Sequence, residues 1–331
     1  MTAFTGAKLM SADDAIVIDR LRLKYRAKPV LDDFSLTVPR GAVYALLGDN
    51  GAGKSTTMKV LTGQIRADRG TATVLGFDCW AKAGILRHRV GYVPDRPKLY
   101  DWMTVTEIGW FTAGFHKTGF QVRYDDWVQR LRLDPKKRLK DLSKGGYARV
   151  GLALALAPDP EVLLLDEPTS GLDLITRREF LGSLVDFAAE GRTILISSHS
   201  IAELERTASH AGFVKDGKVV LASTLDGLRS RFRRVAMRCA GVLPDPASLG
   251  TVRETVRTGR FVQYLLQDPD PVALDSLRAM PGVTDFEDQA VGLEEIYAAV
   301  MGTPPPTASS RPRPSVPAAA EDGYAEEEVW S

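Results

Sequence analysis

Apolar and polar residues alternate from Ile18 to Tyr25, the period of a half-buried β-strand, and residues 32–38 (DDFSLTV) lead into a second strand. After Gly41, the run 43–47 (VYALL) is apolar throughout, which suits a strand buried on both faces. A helix is predicted over 56–61, then strands at 71–75 (TATVL) and at 90–93, where Pro94 stops the second. Two helices fill 104–133. One runs from Thr104 or Val105 to Lys117, and the other covers 123–133 and ends before Pro135. Ser143 stands where an N-cap belongs, ahead of a helix that runs to Ala157 and halts at Pro158.

The second half continues the alternation of strand and helix. Strand patterns occur at 161–168 (EVLLLDEP) and 193–197, followed by a helix over 201–208. The stretch 213–223 (FVKDGKVVLAS) is a hairpin signal with Asp216 and Gly217 at the turn, and a helix over 224–232 closes this part. From 233 to 301, short strands (VAMRCA, RFVQYLLQ) alternate with helices at 272–280 and 293–300, a small α+β appendage. Residues 302–331 are rich in proline and small residues with an acidic end, the composition of a disordered, solvated tail rather than a proline-motif ligand.

Composition sets outer limits. The chain has 331 residues, 44% of them apolar, enough for about two domains and at least one sizeable core. Lys and Arg total 43 against 42 Asp and Glu, so no basic excess points to nucleic acid. Cys79 and Cys239 show no metal-ligand spacing and read as structural thiols in a reducing compartment. The start, MTAFTGAKLMSADDA, has no apolar region behind a basic end, and no stretch approaches the ~18 apolar residues of a spanning helix. The expectation is a cytoplasmic protein, with any membrane-spanning part supplied by a partner.

Chemistry concentrates at 48–56 (GDNGAGKST), which satisfies the phosphate-loop pattern and lies between a predicted strand and a predicted helix. Gly48, Gly51 and Gly53 let backbone N–H groups turn inward to phosphate oxygens, and the helix that follows presents its positive end to the same anion. Lys54 reaches the outer phosphates as a point charge, and the Ser55 hydroxyl suits Mg²⁺. Asp166 and Glu167 emerge at the carboxyl end of a buried strand; Asp166 can hold Mg²⁺ through water, and Glu167 can act as general base toward the attacking water. A turn with a helix cap is the plainer use of two such carboxylates. Tyr25, at the end of its strand, either stacks on a purine or covers the rim, and His199 is either a γ-phosphate sensor or a solvated loop residue.

In order along the chain, Tyr25, GDNGAGKST, GYVPD, LSKGG, LLLDEP, SGLD and Ser198-His199 resemble the nucleotide-binding subunit of ABC transporters over about residues 16–231. The resemblance implies ATP and Mg²⁺ as cofactors and an α/β fold: a P-loop NTPase (RecA-like) core with an antiparallel β subdomain and a helical signature subdomain. Its limits would be 14–231, with the helical part at about 96–158, followed by a C-terminal α+β domain over 232–301 and the tail 302–331. It makes Tyr25 the adenine-stacking aromatic, and Gly48, Asn50, Gly51, Ala52, Gly53, Lys54, Ser55 and Thr56 the Walker A loop. Asp166 and Glu167 become the Walker B pair, Asp173 the end of the D-loop and His199 the switch histidine. Ser143, Gly145 and Gly146 become the signature that grips ATP held by a second ATPase subunit.

Two departures stand out: Asp95 occupies the position of the Q-loop glutamine, and the signature carries Lys144 and Gly146 in place of the commoner glycine and glutamine. Asp95 can still take Mg²⁺ or water, but it adds negative charge near a polyphosphate. These features and the ending LEEIYAAVMG are similar to ATPases of ABC-2-type exporters. The implied protein hydrolyses ATP and drives export through an integral-membrane permease, touched by the helices between Asp95 and Asp141, from a peripheral position on the inner face of the cell membrane. The other reading is a soluble ABC-type ATPase of translation or DNA handling. A single nucleotide-binding unit, neutral charge and the lack of a long coiled-coil insertion count against it.

Overall fold

A computed structural model gives the structure of the protein over residues 13–116, 118–241 and 245–302. The tail predicted to be disordered lies outside the described residues, apart from Gly302. Strand β1 (Asp14–Tyr25) and β2 (Lys28–Pro39) form an antiparallel hairpin. The chain then passes through β3 (Val43–Gly48) and α1 (Lys54–Leu61) before β4 (Arg69–Val74) and β5 (Phe77–Asp78) return to the hairpin, giving a sheet of order β2-β1-β4-β5. Next come α2 (Ala83–Leu86), β6 (Val90–Val93) and a helical group of α3 (Val105–Ala113), α4 (Phe120–Arg130) and α5 (Lys144–Leu156). The second sheet is completed by β7 (Val162–Asp166), α6 (Leu174–Ala189), β8 (Thr193–Ser198), α7 (Ile201–Leu204), β9 (His210–Lys215) and β10 (Lys218–Thr224), followed by α8 (Leu225–Arg231).

The second sheet has the order β10-β9-β3-β8-β7-β6, parallel except for the β9–β10 hairpin. This is the α/β core expected of a P-loop NTPase, and the carboxyl ends of its parallel strands meet along one edge, where such sheets bind ligands. Burial explains why β3 reads as unbroken apolar sequence. Val43, Ala45 and Leu47 enter the core shared with the helical group, whereas Tyr44 and Leu46 enter the core shared with the first sheet. Strand β7 divides likewise, with Leu163 and Leu165 on one side and Val162 and Leu164 on the other. Each Val or Leu among them contributes about 1.5–3 kcal/mol by leaving water, and a one-residue slip would send all of these side chains to the wrong face.

The helical group differs in detail from its pattern. Helix α3 opens with a capping box, in which Thr104 Oγ1 accepts from Glu107 N and Glu107 Oε2 accepts from Thr104 N, and it ends at Ala113 rather than Lys117. Gly114 caps it, and Gly119, at φ +94°, starts α4 at Phe120, ahead of the expected Arg123. Phe120 and Tyr124 are fully buried, and a Cβ at Gly109 would lie 2.2 Å from the Tyr124 ring, so glycine is what lets α3 and α4 approach. The Tyr124 hydroxyl donates to the Val105 carbonyl at 2.7 Å. Helix α7 is a single turn instead of reaching residue 208.

The C-terminal part contains β11 (Phe232–Cys239), β12 (Thr251–Thr258), β13 (Phe261–Gln267), α9 (Pro271–Arg278), β14 (Val283–Ala290) and α10 (Leu293–Met301). Its sheet, β12-β13-β11-β14, is antiparallel throughout and packs α9 on one face. Helix α10 reaches further. Leu293, Ile296 and Met301 are buried in the same core as Val43, Ala45 and Leu47 of β3. Cys79 and Cys239 are both buried and unpaired.

Candidate functional site

The loop between β3 and α1 is held from three sides. A Cβ at Gly48 would lie 2.5 Å from the Val214 carbonyl, and one at Gly53, where φ is +110°, would lie 2.7 Å from Leu31 Cδ2. Gly51 also has positive φ, a conformation that glycine adopts without steric cost. The Gly217 N–H donates to the Ala52 carbonyl at 3.1 Å and the Ala52 N–H to the Asp49 carbonyl at 3.2 Å, so the β9–β10 turn supports the loop from below. Asn50, Gly51 and Ser55 face solvent, and Thr56 is buried in the first turn of α1.

Five charged or polar side chains converge at this loop. Lys54 is nearly fully buried; its ammonium donates to the Gly48 carbonyl and to the Asp49 carbonyl at 3.3 Å, and it stands 3.1 Å from Glu167 Oε1. Ser55 Oγ donates to Asp166 Oδ1 at 3.0 Å. Glu167 Oε2 lies 2.7 Å from His199 Nδ1. The sequence pattern therefore named residues that the fold brings into one chain of contacts, Ser55 to Asp166 on one branch and Lys54 to Glu167 to His199 on the other.

Strand register does much of this work. Asp166 at the end of β7 pairs with Ser197 of β8, whose hydroxyl donates to Asp166 Oδ1 at 2.7 Å and accepts from the Glu167 N–H at 3.0 Å. Sequence reading gave Ser197 no role; the signal lies in its register with Asp166, which one strand alone does not show. Glu167 has φ +49°, an uncommon conformation for a non-glycine residue and one that recurs at functional sites. Burial pushes the Asp166 carboxyl above the ordinary carboxylate range against the hydrogen bonds from Ser197 and Ser55, with Glu167 and then Asp95 adding to the rise. A buried acid among acids, next to a hydroxyl on α1, is a donor set of hard oxygens that suits Mg²⁺. Among the described residues no group of three or more His, Cys, Asp or Glu converges as a metal cage, and a Mg²⁺ site that uses one or two protein oxygens with phosphate needs none.

The remaining candidates sit around the rim. Tyr25 ends β1 and is 45% exposed, on the hairpin whose second strand touches Gly53 through Val30 and Leu31. Asp95 follows β6 and is half exposed, 3.7 Å from the Arg96 guanidinium. Ser143 caps α5 by accepting from the Gly146 N–H at 3.1 Å. Gly145 is pressed against Thr176 of α6, where a Cβ would lie 2.4 Å from the threonine methyl, and the Lys144 side chain lies over Gly171. Asp173 spends its carboxylate on capping α6, accepting from the N–H groups of Ile175 and Thr176 and from the Thr176 hydroxyl. These bonds, led by the Thr176 N–H, hold its pKa below the usual range.

A second network escaped the sequence entirely. Glu203 on α7 accepts from Ser200 Oγ at 2.5 Å, from Thr169 Oγ1 at 3.2 Å and from Arg177 of α6, and Arg177 in turn donates to the Leu172 carbonyl at 3.0 Å. It ties the segment after His199 to the segment between Glu167 and Asp173.

Comparison with known proteins agrees with this geometry. A family profile described as "ABC transporter" matches residues 31–170, and one described as "AAA domain, putative AbiEii toxin, Type IV TA system" matches 142–205. The ABC transporter ATP-binding protein YtrB of Bacillus subtilis is 30% identical over 280 residues, covering 82% of this chain and 93% of its own. The daunorubicin resistance ATP-binding protein DrrA3 of Streptomyces coeruleorubidus is 33% identical over 293 residues, covering 86% and 90%. The lantibiotic transport ATP-binding protein SrtF of Streptococcus pyogenes is 34% identical over 213 residues, covering 63% and 91%. Among solved structures, an ATP-binding subunit of an ABC transporter superposes with a TM-score of 0.60 at 30% identity, covering 65% of this chain and 92% of that one. With a phosphate loop, a paired Asp166 and Glu167 and a capped Ser143 helix set on this sheet, the chain belongs to the ATP-binding subunits of ABC transporters, a family of ATPases.

Proposed function

We propose that this chain hydrolyses MgATP at a site completed by a second ATPase subunit, and that the cycle drives export through a separate membrane permease. The contact chain Ser55–Asp166 and Lys54–Glu167–His199 carries the reading. The loop N–H groups from Gly48 to Thr56 cradle the phosphates, Lys54 neutralises their outer charge, and Tyr25 stacks on the adenine. Ser55 and Asp166, with Asp95 beside them, hold Mg²⁺, which neutralises charge on the phosphate oxygens. Glu167 accepts a proton from water as that water attacks the γ-phosphorus and the bond to the ADP oxygen breaks; His199 orients Glu167 and the γ-phosphate.

Ser143 and Lys144 are exposed at the N-terminus of α5, whose first-turn N–H groups and positive dipole end suit an anion carried by another molecule; Gly145 and Gly146 pack behind them, and Asp173 lies beside this end through the Thr176 contact with Gly145. Permease contact is assigned to the helical group, where Tyr100, Trp102, Trp110 and Phe115 are exposed and Phe111 links Tyr100 to Phe115 by edge-on ring contacts. No helix among the described residues is long and apolar enough to cross a membrane; in the proposed assembly the permease supplies the spanning part, with this subunit peripheral on the inner face. Relatives named for lantibiotic transport, daunorubicin resistance and Nod factor export favour the outward direction and the ABC-2-type grouping.

The test uses Glu167→Gln, which removes the base and keeps the phosphate loop. Turnover should fall by roughly 10²- to 10⁴-fold while MgATP binding persists, and light scattering should show an ATP-dependent dimer. Lys54→Ala should abolish both binding and dimer, and Ser143→Arg should block the dimer alone. A Glu167→Gln protein that binds MgATP tightly yet stays monomeric, alone and with its permease, would overturn the two-subunit site.

A further inference from the structure

Helix α10 is fastened to the ATP-binding core at both ends. The Leu293 N–H donates to Glu205 Oε1 at 3.1 Å, just after α7, and Lys215 Nζ of β9 donates to the Met301 carbonyl at 2.7 Å. Between these ties, the Tyr297 ring meets Phe213 of β9 edge-on at 5.3 Å between centroids. The Tyr297 hydroxyl then reaches Asp49 and donates to its Oδ1 at 3.1 Å, across 248 positions of sequence. Asp49 is the second residue of the phosphate loop, and its own carbonyl accepts from Lys54 and from the Ala52 N–H.

The side chain of Asp49 is a liability where it stands. A carboxylate within the phosphate loop lies inside the ~8–10 Å over which charges act through physiological salt, so it repels a polyphosphate bound there. Among the described residues the Tyr297 hydroxyl is its one side-chain hydrogen-bond donor, and it comes from the side of β9 and α10. We infer that Tyr297 is a positioning residue: α10 latches Asp49 by this bond, holding the carboxylate aside from the phosphate-binding face of the loop, so that the C-terminal part of the chain sets the affinity of the loop for nucleotide. The inference rests on the nucleotide-binding reading of the loop, and its test separates the two.

The experiment measures MgATP affinity of the full chain by fluorescence titration for the parent, Tyr297→Phe, Asp49→Asn and the double variant, with Lys54→Ala as control. Phenylalanine keeps the ring against Phe213, so thermal unfolding should move little. Tyr297→Phe should bind MgATP roughly three- to tenfold more weakly, with kcat at saturation unchanged and with the loss shrinking as salt rises. Asp49→Asn should bind at least as tightly as the parent, and adding Tyr297→Phe to it should have no further effect, because no charge remains to be held. Unchanged affinity in Tyr297→Phe, or an equal loss in the Asp49→Asn background, would overturn the latch. Failure of the parent to bind MgATP, or tight binding by Lys54→Ala, would instead overturn the nucleotide reading of the loop.

Discussion

Lys54 Nζ and Glu167 Oε1 lie 3.1 Å apart, with side chains 5% and 12% exposed, so the cation of the phosphate loop and the carboxylate past β7 form a buried pair. On the proposed function, a polyphosphate in the loop would compete with Glu167 for Lys54 and free Oε1 toward water, while Oε2 keeps its contact with His199. The pair also supports the fold when no nucleotide is added. Removing one partner strands the other charge, so Lys54→Ala and Glu167→Gln should each destabilise, and a double-mutant cycle in urea should show a coupling of about 1 kcal/mol or more. Additive losses would mean that the contact contributes nothing.

Asp95, at the position the resemblance gives to the Q-loop glutamine, raises the electrostatic cost of ionising Asp166. Asp95→Gln keeps an oxygen for coordination and removes that charge, so ATPase activity should hold or rise. A fall of tenfold or more, about 1.4 kcal/mol in barrier, would show that the carboxylate itself is required.

Glu203 gathers Ser200, Thr169 and Arg177 without touching the phosphate loop. Its loss should loosen His199 and the segment leading to Asp173 together. Glu203→Ala is expected to lower kcat by roughly 10- to 100-fold, the scale of a small misplacement, while MgATP affinity stays within about threefold. Steady-state kinetics beside equilibrium titration tests this; an affinity loss as large as the loss in kcat would assign Glu203 to overall stability.

Gly109 of α3 lies against the Tyr124 ring of α4. Gly109→Ala forces a methyl into the Tyr124 ring and should destabilise by about 1–3 kcal/mol, despite alanine's better helix propensity. Chemical denaturation gives the number. A stabilised Gly109→Ala would show that the two helices move apart freely.

What the sequence made legible follows from how locally each feature is encoded. The phosphate loop, the Asp166–Glu167 pair and the Ser143 cap each fit within a few residues, and the fold places them on the elements their patterns imply. Helix α6 goes unread in the sequence, because Leu174, Ile175 and Val185 are exposed and blur its apolar stripe. Strands β12 and β14 are the edges of their sheet and bury no residue fully; Val252, Val283 and Phe286 pack only partly against the core, so VRETVR and TDFEDQA carry a faint inward face. Ser197, Glu203 and Tyr297 owe their contacts to register or tertiary packing across long separations, and no window of sequence contains both partners.

Burial of α10 in the same core as one face of β3 bears on how the protein is made. The phosphate loop leaves the ribosome long before α10 does, so Val43, Ala45 and Leu47 wait for Leu293, Ile296 and Met301 before their core is complete. At about 5–20 residues per second, the wait is roughly 10–50 s for each nascent chain. Through that interval the apolar face meant for α10 is open to chaperones, and a nascent chain truncated before residue 293 is the one they would hold longest.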